Sequence, residues 1–98
     1  MRLRERDIAG IRAAAQEIFG GDAVVRLFGS RLDDAARGGD IDLHIEAEAS
    51  DLGTDQQLAF RRLLTRYVGE RAIDVVCYSR GMARRPIDDV AVREGIVL

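Results

Sequence analysis

The sequence predicts an α/β (α+β) fold: a small mixed sheet with helices mainly on one face, in the order α-β-β-α-β-α. Three observations carry this. Residues 40–48, DIDLHIEAE, alternate polar and apolar without an error, which is the period-two signature of a strand with one face buried. Residues 4–19 place Ile8, Ile11, Ala15, Ile18 and Phe19 on a single helical stripe that stops at Gly20-Gly21. Residues 72–78, AIDVVCY, form a short apolar run interrupted only by Asp74.

The elements follow in chain order. After the leading helix, AVVRLFG at 23–29 is too short for a helix and rich in β-branched and aromatic residues, so it reads as a strand. The strand at 40–48 puts Asp40, Asp42, His44, Glu46 and Glu48 on one face and Ile41, Leu43, Ile45 and Ala47 on the other. Thr54 and Gln57 suggest a capping box for a second helix, with Phe60, Leu63, Leu64 and Tyr67 facing inward and Gly69 closing it. The strand at 72–78 comes next. Pro86 then suits a first helical position, and Ile87, Val90 and Gly95 outline a short last helix before the residues Ile96-Val97-Leu98. The short link between the first two strands favours antiparallel pairing, whereas a helix between the second and third gives a right-handed crossover and a parallel pair.

Composition narrows the functional classes. A chain of 98 residues is the size of one domain, expected to span 1–98, and its hydrophobic fraction of 47% is that of a globular protein. No apolar stretch approaches the roughly 20 residues of a membrane span, so no membrane partner is expected. The charged start MRLRERDIAG and the lone Cys77 lead to the expectation of a cytoplasmic protein. Net charge is −2 with the signs interspersed, which leaves no broad basic face, and no polymeric nucleic acid is expected as a partner. All 15 basic residues are arginines.

The chemistry gathers in FGSRLDDAARGGDIDLHIEA, residues 28–47. Antiparallel pairing of the first two strands would bring Gly29-Ser30 beside Asp40 and Asp42. Two carboxylates two residues apart leave one face of a strand about 6 to 7 Å apart, close enough to share metal ions. Asp74 on the next strand would complete three hard oxygen donors, suited to Mg²⁺ or Mn²⁺. Glycine lets backbone approach a phosphate closely, and the serine offers a hydroxyl and N–H groups to it. Metal on one side and phosphate donors on the other describe a site for a nucleoside triphosphate, with Asp74 also placed to take the proton of an attacking hydroxyl. Singly, an Asp at a strand start or a Gly-Ser has a plainer reading as a solvated end or a turn. Their joint spacing arises by average residue usage only about once in a thousand chains of this length, which favours the site. Arg31 lies within reach of a phosphate and reads equally as a solvated loop residue. His44 reads as a polar strand residue, Glu46 and Glu48 as solvated face, and Arg26 as their cross-strand counter-charge.

Phe28-Gly29-Ser30, nine intervening residues, then Asp40-Ile41-Asp42-Leu43, with Asp74 in the place of a third carboxylate, resemble the minimal nucleotidyltransferases of the DNA polymerase beta-like superfamily. The chain departs from many of them at Leu32-Asp33-Asp34 and at Gly39. The resemblance implies a nucleotidyltransferase fold and two-metal transfer of a nucleoside monophosphate from an NTP, here ATP, with Asp40, Asp42 and Asp74 as metal-binding catalytic residues. Gly29, Ser30 and Arg31 would contact the nucleotide. It further implies a hydroxyl acceptor on a HEPN-type toxin protein, for which this chain would be the antitoxin. The alternatives are a catalytically silent module that neutralises a partner by contact, and, third, a small-molecule nucleotidyltransferase.

Overall fold

The computed structural model describes residues 4–29, 41–69 and 73–98. Among them are three α-helices and a four-stranded mixed sheet: α1 (Glu5–Phe19), β1 (Val24–Phe28), β2 (Ile41–Ala47), α2 (Thr54–Val68), β3 (Ile73–Ser79), α3 (Pro86–Glu94) and β4 (Ile96–Val97). The spatial order of the strands is β3-β2-β1-β4. β1 pairs antiparallel with β2, and β2 pairs parallel with β3 across the α2 crossover, as their connections require.

The alternation in β2 does what period two dictates. Ile41, Leu43, Ile45 and Ala47 face a core completed by Ile11, Ala14, Ala15 and Phe19 of α1, Val25 and Leu27 of β1, and Phe60, Leu64 and Val68 of α2. The rings of Phe19 and Phe60 meet there at 5.0 Å between centroids, packing the two helices against each other. α1 and α2 therefore share one face of the sheet. α3 lies on the other, where its Asp88 meets His44.

Three local details differ from the sequence expectations. The Thr54–Gln57 capping box does not form: the extended residue before α2 is Gly53, which leaves Thr54 inside the first turn, and the Gln57 amide donates instead to the Leu52 carbonyl at 2.8 Å. Tyr67 stands half-exposed at the rim of the α1–α2 interface instead of pointing into the core. Beyond Gly95 the chain adds a strand: β4 pairs antiparallel with β1, Arg26 opposite Val97 and Leu27 opposite Ile96, and the Leu98 N–H donates to the Val25 carbonyl at 2.9 Å. Two residues are too few to display an alternation, so this element has no periodic signature. Among the described residues, no helix is long and apolar enough to cross a membrane.

Candidate functional site

The parallel register of β2 and β3 sets Asp42 directly beside Asp74. Neighbouring strands lie about 4.8 Å apart, and partners in register project to the same face, so the two carboxylates share one edge of the site. Asp42 is half-buried and Asp74 exposed. On the other side of β2, the antiparallel register sets Phe28 opposite Asp42 and brings the next residue, Gly29, against the aspartate. Gly29 has φ +79°, and a Cβ built on it would stand 2.6 Å from Asp42 Oδ2. The left-handed backbone favours glycine here, and any side chain would also have to push the Asp42 carboxylate aside.

Three strand ends thus converge as the spacing requires, and Gly29, Asp42 and Asp74 come together. Ser30, Arg31 and Asp40 lie outside the described residues. Among the described residues, no group of three His, Cys, Asp or Glu side chains is placed to hold a metal ion. The pair that is described, two hard carboxylates with backbone pressed close to one of them, fits the oxygen chemistry of Mg²⁺ or Mn²⁺. No protein-family model matches the chain, and no curated protein matches it significantly.

The same face holds a second cluster that pattern reading missed. His44, read from the sequence as a polar strand residue, is fully buried, its ring edge-on to Phe28 and stacked at 6.2 Å on Tyr78. Its Nε2 lies 2.8 Å from Oδ1 of Asp88, which is also fully buried. Asp88 accepts from the Arg85 backbone N–H at 2.8 Å and from its guanidinium at 2.9 and 3.0 Å, and Arg85 donates further to the Cys77 carbonyl of β3 at 2.7 Å. The Arg85 side chain, working against burial and helped by the Arg85 N–H and His44, holds the Asp88 carboxyl well below the usual carboxylate range. An ionised Asp88 can only accept, so His44 Nε2 carries the proton. Among the described residues the buried Nδ1 of His44 has no hydrogen-bond partner, which costs about 1 to 3 kcal/mol. No local signal marks this cluster, because Asp88 in a first helical turn reads as an ordinary complement to the helix dipole.

Glu46 is likewise not simply solvated. It accepts from Arg26 at 2.9 Å, the cross-strand pair that the strand faces predict, and from Arg80 at 3.2 Å. Burial pushes its pKa up, but the bonds to Arg26 and Arg80 outweigh this and hold it below the ordinary value. Arg80 also bonds to the Asp22 carbonyl and pairs with its carboxylate, fastening the end of β3 to the entry of β1.

Proposed function

We propose that this chain is a nucleotidyltransferase of the DNA polymerase beta-like kind, moving a nucleoside monophosphate from ATP to a hydroxyl on a partner protein. The observation that carries the reading is the in-register pair Asp42 and Asp74, with Gly29 seated so close to Asp42 that a side chain there would have to displace its carboxylate. The nine-residue spacing from Ser30 to Asp40 supports it from the sequence side.

In this reading Asp42 and Asp74, with Asp40, would hold two divalent cations, which would supply charge neutralisation for the phosphate oxygens. Gly29 keeps the approach to Asp42 free of side-chain bulk, and Ser30 and Arg31 donate to the phosphates. The acceptor hydroxyl oxygen attacks the α-phosphorus and a new P–O bond forms. The bond from that phosphorus to the bridging oxygen breaks, pyrophosphate leaves with the electron pair, and Asp74 takes the hydroxyl proton. Such a transfer requires an acceptor held in line and shielded from water, and the exposed Asp74 supports an acceptor docked from outside. A HEPN-type toxin protein offering a tyrosine hydroxyl is the proposed acceptor, which makes this chain its antitoxin.

Calorimetry with ATP, with and without Mg²⁺, tests the first step: binding is expected only with the cation and is expected to vanish in Asp42→Asn. Mass spectrometry of the partner after incubation with MgATP tests the second, with discrete nucleoside monophosphate additions expected. Binding of MgATP without any transfer would leave neutralisation by contact as the function. Binding unchanged in Asp42→Asn would overturn the site.

A further inference from the structure

We propose that His44, Asp88 and Arg85 are positioning residues for the Asp42–Asp74 pair, forming a clamp that holds β2 and β3 together beside the two carboxylates. The inference rests on reading that pair as the seat of a divalent cation. Its geometric basis is that the cluster grips both carboxylate-bearing strands at once. Asp88 binds β2 through the His44 side chain, while the Arg85 guanidinium that holds Asp88 also reaches the Cys77 carbonyl of β3. His44 is two residues beyond Asp42, and Cys77 three beyond Asp74, on the same sides of the rim.

The rim needs such a grip. Among the described residues the β2–β3 register begins at Ile41 and Ile73, with Asp42 and Asp74 as its second pair. Like charges set directly opposite one another across strands weaken their pairing. Spreading there would separate the two carboxylates before a cation could bridge them.

Stability alone does not account for the cluster. An apolar residue in place of His44 would remove the buried Nδ1, which has no partner among the described residues, and buried ionic groups in general are poor evidence for stability. What the imidazole adds over a hydrocarbon is one directed bond, Nε2–H to Asp88, which sets the position of α3 against β2.

The test uses Mn²⁺ as the probe, with affinity read by calorimetry well below the unfolding temperature. His44→Leu keeps apolar volume and removes the bond, whereas His44→Gln retains an N–H donor toward Asp88. Arg85→Gln, on a side chain that is half-exposed and so tolerant of change, removes the reach to Cys77. His44→Leu and Arg85→Gln are expected to weaken Mn²⁺ binding about tenfold, the effect usual for groups that orient metal ligands, and His44→Gln to recover most of it. A purely structural cluster would lower the unfolding temperature and leave Mn²⁺ affinity unchanged in the folded protein, which overturns the proposal. Equal weakening in His44→Leu and His44→Gln also overturns it, since ring packing and not the bond would then be at work. If His44→Leu does not fold, Arg85→Gln decides by the same criterion. Amide exchange at Asp74 and Val75 without metal separates this inference from the functional reading. If the parent protein fails to bind Mn²⁺, the functional reading falls, and faster exchange in Arg85→Gln still establishes the clamp; unchanged exchange removes the clamp as well.

Discussion

Gly29 is the residue on which the site depends most narrowly. Any L side chain there pays for the left-handed backbone, about 1 to 2 kcal/mol, and then meets Asp42 Oδ2 at 2.6 Å. Gly29→Ala is therefore expected to lose at least that much stability in denaturant titrations and to lose Mn²⁺ binding by displacing the carboxylate. Retained stability together with retained binding would show that the backbone relaxes freely at this point. Asp88 carries a different signature. Its carboxyl, held down chiefly by Arg85, releases its proton more readily in the folded chain than in the unfolded one. The stability it contributes is thus complete above the unfolded value near pH 4 and declines as pH falls below it. Asp88→Asn is expected to cost about 2 kcal/mol at pH 7, where charge-assisted bonds become neutral ones. It should also flatten the acid side of a stability-against-pH curve, with the parent losing the difference as pH drops below about 4.

At the scale of elements, the contact between α1 and α2 is set by a missing side chain. Gly10 lies inside α1, and a Cβ built on it would be 2.7 Å from Tyr67 Cβ. Alanine there would gain about 1 kcal/mol of helix propensity, but overpacking costs typically 1 to 3 kcal/mol, and Tyr67 Cβ is too near its own backbone to swing aside. The clash wins. Gly10→Ala is expected to lower stability by about 1 kcal/mol, whereas replacement of the glycine in a helix free of this neighbour would raise it. Chemical denaturation of the single variant is sufficient, because the two effects differ in sign.

For the whole molecule, the functional reading implies coupling between cation binding and folding. Asp42 and Asp74 sit on strands joined only through the α2 crossover, so a cation shared between them binds the folded chain and not the unfolded one. At a hundredfold excess over its dissociation constant, such a ligand stabilises the fold by about 2.7 kcal/mol. Mn²⁺ is expected to raise the unfolding temperature accordingly, and the rise is expected to disappear in Asp42→Asn. A rise of equal size in that variant would place the cation elsewhere on the molecule.

Much of this architecture is written in local pattern. Alternation in β2, the stripe of α1 and the apolar run of β3 each identify an element because burial of one face imposes a period on the residues that provide it. The connection lengths then determine which strands run parallel, and from that follows the meeting of Gly29, Asp42 and Asp74. Other features have no period to read. β4 is two residues long, and the cap of α2 depends on which of two adjacent residues stays extended. His44 shows the limit most clearly. Along β2 it occupies the polar face and reads as a polar strand residue, and only the return of α3, with Asp88 forty-four positions later, buries it. Sequence alone determined which residues face one another along each element, since that is a matter of local periodicity. Tertiary structure alone decided which helix covers the second face, because burial there depends on a partner distant in the chain.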